Sequence, residues 1–119
     1  MYSEQVLDHF QNPRNAGEVE NADAVVEVQN PACGDILRLS ARVVDGRITE
    51  VRFRAKGCVP AMACASRITE MITGKSIDEA RAVKKEDVIA SLGGVPAASG
   101  HAGQLATDAV GELLKKLNG

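Results

Sequence analysis

Leu37-Arg38-Leu39-Ser40-Ala41-Arg42-Val43-Val44-Asp45-Gly46-Arg47-Ile48-Thr49-Glu50-Val51-Arg52-Phe53-Arg54-Ala55-Lys56 is the stretch that decides the fold class. Leu37, Leu39, Ala41 and Val43 alternate with Arg38, Ser40 and Arg42; Val51, Phe53 and Ala55 alternate with Arg52, Arg54 and Lys56. Successive side chains of a strand point to opposite faces, so each run offers one face to a core and one to water. Asp45-Gly46 between the runs is a two-residue hairpin signal. Upstream, Val26 and Val28 alternate with Glu27 and Gln29 and supply another strand. Together these predict a three-stranded antiparallel meander.

Beyond Pro60 the period changes to that of a helix. Ala61, Cys64, Ala65, Ile68, Met71 and Ile72 share one helical face, and Gly74 ends the segment. Ser76 followed by Glu79 is a capping-box pattern for a short helix through about Val83. Lys85 to Leu92 reads as another short helix broken by Gly93-Gly94, and Val95 to Gly100 as a loop of small residues. The last helix carries Leu105, Ala109, Leu113 and Leu117, with Lys115 and Lys116 where the helix dipole favours cations. At the other end, Val6, Leu7 and Phe10 fall at helical spacing after Ser3, which can cap. Asn12-Pro13 stops that helix, and Pro13 to Asn21 reads as a loop. With no internal repeat and no linker, residues 1–119 are expected to form a single α+β domain, its helices packed on one face of the sheet.

Composition narrows the function classes. The chain has 119 residues, 45% of them hydrophobic, but no Trp, one Tyr and two Phe, so aliphatic side chains must fill the core. A formal net charge of −2 argues against a nucleic-acid binder, which is usually basic. No apolar run is long enough to span a bilayer, and the N-terminus lacks a signal-peptide hydrophobic core. The expected location is therefore the cytoplasm, where thiols stay reduced. There, Cys33, Cys58 and Cys64 point to metal binding or thiol chemistry rather than disulfides.

Each cysteine has its own context. Pro31-Ala32-Cys33-Gly34-Asp35 joins the first two strands, and Gly34 lets the chain turn so that Cys33 and Asp35 can face one site. A thiolate and a carboxylate two residues apart are a plausible ligand pair; a turn with an incidental cysteine is the alternative. Gly57-Cys58 lies where the third strand gives way to the helix near Pro60. A helix N-terminus favours the thiolate, so a lowered Cys58 pKa is expected. The hairpin brings Cys33 and Cys58 toward one end of the sheet. Cys64 shares the core stripe with Ala61 and Ile68 and reads as a buried small hydrophobe, with a spare ligand or sulfur acceptor behind Cys58 as the other reading. His101 precedes the last helix and is a candidate ligand by residue type. His9 reads as a surface residue. No local motif places a base beside either loop cysteine, which speaks against a thiol enzyme.

These same residues carry a resemblance. Tyr2-Ser3, Asp8-His9-Phe10, Asn12-Pro13-Arg14-Asn15 and Gly17 resemble the N-terminal signature of the IscU/NifU N-terminal family of iron–sulfur cluster assembly scaffolds. Asn30 to Asp35 resembles that family's first ligand motif, and Lys56-Gly57-Cys58 with the small residues through Ser66 the second. Thr73 to Ser76, Leu105-Ala106 and Asp108-Ala109 fit as well, so the resemblance covers nearly the whole chain in order. It implies a scaffold on which a two-iron, two-sulfur cluster is built and passed to apo-proteins. A cysteine desulfurase supplies sulfur, a chaperone pair assists release, and a homo-oligomer is left open. Cys33, Asp35 and Cys58 match three ligand positions, and His101 matches the histidine before the family's third cysteine. That cysteine is replaced here by Ala102, which cannot bind metal. Leu92 to Pro96 lacks the usual chaperone-recognition motif, and Val59-Pro60 replaces small flexible residues. Two Cys, one Asp and one His still make four ligands, suited to a mixed-ligand cluster or to iron or zinc. The expected function is thus a scaffold or carrier, with a zinc- or iron-binding accessory protein that assembles no cluster as the alternative. An inert relative is the third and weakest reading.

Overall fold

The computed structural model describes residues 2–31 and 34–118. Helix α1 (Glu4–Gln11) leads into strands β1 (Ala24–Gln29), β2 (Ile36–Val44) and β3 (Arg47–Lys56). Four helices follow: α2 (Val59–Ile72), α3 (Ile77–Arg81), α4 (Lys85–Ser91) and α5 (His101–Asn118). The strands pair antiparallel in the order β1-β2-β3. Asp45 and Gly46 both take positive φ, 53° and 78°, which is the backbone a two-residue hairpin turn requires. Ser76 and Glu79 close the expected capping box, with bonds of 3.1 and 2.9 Å.

One face of the sheet is covered by α2 and α5. Leu37, Leu39, Ala41, Val51 and Phe53 meet Ala61, Cys64, Ala65, Ile68 and Ile72 of α2 and Leu105, Ala109 and Leu113 of α5, all buried. Ala61 and Ala65, one turn apart on α2, let it lie close to the strands, which suits a core with few aromatic rings. On the outer face Ser40 is buried rather than wet, accepting from Val19 N–H, and the alternation of side-chain direction fails at one place. The β2–β3 register shifts between Arg42, opposite Glu50, and Val43, opposite Ile48, so Thr49 is left over as a bulge. The extra residue returns Ile48 to the core face, fully buried; unbroken alternation back from Val51 would have pointed Thr49 and Arg47 inward.

The outer edge of β3 is covered. Gly17 N–H donates to Phe53 O (2.8 Å) and Phe53 N–H to Asn15 O (2.9 Å), while Ile48 exchanges bonds with Gly74 and Lys75. The loop from Pro13 to Asn21 is therefore an edge cap as well as a connection. The Val95–Gly100 loop contains a short 3-10 turn, Ala97–Ser99. No described helix is long and apolar enough to cross a membrane.

Helix α1 departs from expectation. Its buried residues are Val6 and His9, whereas Leu7 and Phe10 are 40% and 42% exposed. The cause is a polar centre on α2. Ser66 Oγ accepts from Arg14 N–H (2.8 Å) and lies 2.8 Å from His9 Nδ1. That pair turns His9 inward and rotates its neighbours out. His9 is not a surface residue.

Candidate metal centre

The sheet register builds this site. Ile36 pairs with Lys56 at the end of the β2–β3 ladder, so the next residues out, Asp35 and Gly57-Cys58, lie side by side. Cys58 is the N-cap of α2, and His101 is the first residue of α5. Both helices start at the same end of the sheet. The Cys58 thiol donates to Asp35 Oδ2 across 3.6 Å and lies 4.0 Å from His101 Nε2, which is 3.6 Å from Asp35 Oδ2. Among the described residues these three form the one metal-sized group of His, Cys, Asp or Glu side chains. Asp35 is buried, whereas Cys58 is exposed and His101 is one-third exposed, so the site opens to solvent on the thiol and imidazole side.

The three separations can be compared with what an ion would impose. Metal–ligand bonds of about 2.0–2.3 Å at tetrahedral angles put ligand atoms about 3.3–3.8 Å apart. The observed 3.6, 3.6 and 4.0 Å are close to that triangle, so the donors fit one four-coordinate ion with small movements. Cys33, the fourth candidate from sequence, lies outside the described residues.

Electrostatics corrects one expectation. The Cys58 thiol is pushed up, not down: burial raises it most, and the Asp35 charge and hydrogen bond add to that. The backbone N–H of Ala61 pulls the other way, as a helix N-terminus should, but is outweighed. Without a cation the site therefore keeps its thiol proton facing the carboxylate, and a metal must displace it. Cys64 is fully buried, and burial pushes its thiol up to about 12, with the nearby Cys58 adding to the effect. It packs among Ala61, Ala65 and Ile68 and is not part of the donor group. Ala102 is 1% exposed, its methyl packed in the core.

A cleft beside His101 escaped the sequence reading. Gln29, Asn30, Pro31, Gln104, Leu105 and Asp108 line it together with His101. Gln104 and Asp108 follow His101 by three and seven residues, and that helical spacing was the available signal.

The family model "NifU-like N terminal domain" matches residues 1–119. The chain is 46% identical over 110 residues to "Iron-sulfur cluster assembly scaffold protein IscU 1" of Archaeoglobus fulgidus, covering 92% of this chain and 72% of that one. It is 44% identical over 113 residues to "Iron-sulfur cluster assembly scaffold protein IscU" of Escherichia coli K12, covering 92% and 88%. The fold matches the crystal structure of a nitrogen-fixing NifU-like protein (N-terminal) from Brucella abortus, with TM-score 0.80, 21% identity, and coverage of 97% and 92%.

Proposed function

The chain belongs to the NifU-like N-terminal domain family, and from that premise we propose that it is an iron–sulfur cluster assembly scaffold that binds iron or a two-iron, two-sulfur cluster and passes it to apo-proteins. Relatives 40–46% identical over most of the chain are named as such scaffolds. The observation that carries the reading is the convergence of Asp35, Cys58 and His101 within 4.8 Å of one another. In this reading Cys33 and Cys58 supply thiolates, Asp35 a carboxylate and His101 a neutral Nε2. The whole of residues 1–119 acts as one domain. A cysteine desulfurase delivers sulfur, a chaperone pair assists release, and the protein works in the cytoplasm as a carrier rather than an enzyme. Carboxylate and imidazole are harder ligands than thiolate and hold a sulfur-rich cluster less firmly, which suits cargo that must leave.

Ala102 favours a second reading. It has no donor atom and its methyl is buried, so a ligand set with His101 in place of a thiolate carries one negative charge fewer than three cysteines with the same aspartate. Two Cys, one Asp and one His also make a closed zinc site, as in an accessory protein that assembles no cluster. Anaerobic reconstitution with ferrous iron and sulfide separates the two. The scaffold reading expects equal iron and sulfide, a sulfide-dependent visible absorbance, and its transfer to an apo-ferredoxin. Firm zinc binding with no sulfide-dependent band would leave the accessory reading. Ala102→Cys is expected to lengthen the cluster's lifetime in air and against chelators; equal lifetimes would mean another residue already completes the site.

A further inference from the structure

Two glycines flank the metal-sized group, and they are glycines for different reasons. Gly34 has φ +75° and nothing within 4 Å of where a Cβ would sit, so the turn alone accounts for it. Gly57 has no positive φ, and its backbone would accept any residue. A Cβ built there would instead lie 2.7 Å from both Cγ and Oδ1 of Asp35 and 3.1 Å from its Cβ. The Asp35 carboxyl occupies the volume that a side chain at 57 would fill.

We propose that Gly57 is the positioning residue for the Asp35 carboxylate: its missing side chain is what allows that group to lie buried with Oδ2 turned toward Cys58 and His101. Oδ1 rests over the Gly57 backbone, and Oδ2 lies 3.6 Å from both Cys58 Sγ and His101 Nε2. Asp35 cannot retreat as a whole. Its carbonyl accepts from Asn30 N–H at 2.8 Å, and the adjoining Ile36 is locked opposite both Gln29 and Lys56. A methyl at 57 is therefore relieved by rotating the Asp35 side chain out of the site, leaving a sulfur and an imidazole without their carboxylate. The glycine thus sets the site's ligand number by space rather than by backbone freedom.

The inference rests on the reading of Asp35 as a ligand, and the test separates the two. Zinc affinity is measured by calorimetry, and the metal-free fold by thermal melting, for Asp35→Gly, Gly57→Ala and the double variant. Asp35→Gly and Gly57→Ala are each expected to weaken zinc binding by a similar factor, about 10–100-fold. The double variant should bind no worse than either single one, because both remove the same carboxylate. Gly57→Ala binding as tightly as the native chain, or losses that multiply in the double variant, would overturn the inference while leaving the Asp35 reading intact. Native affinity in Asp35→Gly would sink the ligand reading instead. The crystal structure of metal-free Gly57→Ala then still decides: Asp35 Oδ2 out of reach of Cys58 Sγ supports the positioning role, and an unmoved carboxylate refutes it. If Gly57→Ala does not fold, the double variant, with the space freed, must; a double variant that stays unfolded also overturns it.

Discussion

His9 and His101 each hold Nε2 near a carboxylate oxygen, 3.4 Å from Glu70 and 3.6 Å from Asp35. Everything else around them differs. His9 is 7% exposed, its second nitrogen lies 2.8 Å from Ser66 Oγ, and Arg14, Arg67 and Asp8 complete its charged surroundings. His101 is one-third exposed, and its third neighbour is the Cys58 thiol. The hydrogen bonds around His9 are all satisfied when Ser66 donates to Nδ1 and Nε2–H faces Glu70, which leaves no lone pair for a metal. At His101, three candidate ligand atoms face one another, 3.6, 3.6 and 4.0 Å apart. A histidine–carboxylate pair is thus uninformative alone; the third group distinguishes a seam between helices from a candidate ligand set.

The comparison breaks most visibly if the two sites are disabled in turn. Cys58→Ala is expected to weaken zinc binding by about 100-fold, the upper end of what disturbing a ligand's partners costs, with a melting temperature close to native. His9→Ala should do the reverse. It takes the imidazole away from Ser66 Oγ and Glu70, which keep only Arg14 N–H and Arg67, at a cost of about 2 kcal/mol in denaturant unfolding, and zinc affinity stays unchanged. Zinc binding lost in His9→Ala with stability intact would erase the distinction.

A pH series sharpens it. Burial, with Arg14 and Arg67, holds the His9 ring below its ordinary range, outweighing Glu70 and Asp8. The unfolded ring, titrating at about 6.5, takes up its proton before the folded one does. The contribution of His9 to stability is therefore present above that pH and is lost as pH falls through the depressed folded value. Unfolding midpoints should drop between pH 7.5 and 5.5 in the native chain and drop less in His9→Gln; parallel curves would contradict the assignment. The smallest effect belongs to Cys64→Ala, about 1 kcal/mol from lost apolar volume, with no change in zinc affinity. Loss of zinc there would make Cys64 a ligand after all.

What the sequence made legible follows from how local each cause is. The hairpin could be read because Asp45-Gly46 and the flanking alternation are properties of neighbouring residues, and the α2 stripe and the Ser76–Glu79 box are equally local. Ile48 could not be, since a bulge is a mismatch between two strands and only the three-residue step from Ile48 to Val51 hints at it. His9 was misread because its partner Ser66 is 57 residues away, on a helix whose docking side is fixed by the whole core. The direction of the Cys58 shift was misread for a similar reason. The helix N-terminus is visible in sequence, but the burial that overrides it, with the Asp35 carboxylate adding to it, comes from the packing at the end of the β2–β3 ladder. Cys33 stays an expectation from its motif. The crowding at Gly57 could not be read, because a glycine required for space looks the same in sequence as one required for a turn.

The chain contains two histidines, so one spectrum can test the assignment of the metal site to His101. Long-range proton–nitrogen NMR of the two imidazole rings, recorded as zinc is added to the metal-free protein, reports each ring nitrogen separately. His101 Nε2 is expected to move to the shift of a metal-bound nitrogen while both nitrogens of His9 stay where they were. A metal-bound shift at His9, or an unmoved His101 with zinc already bound, would contradict it.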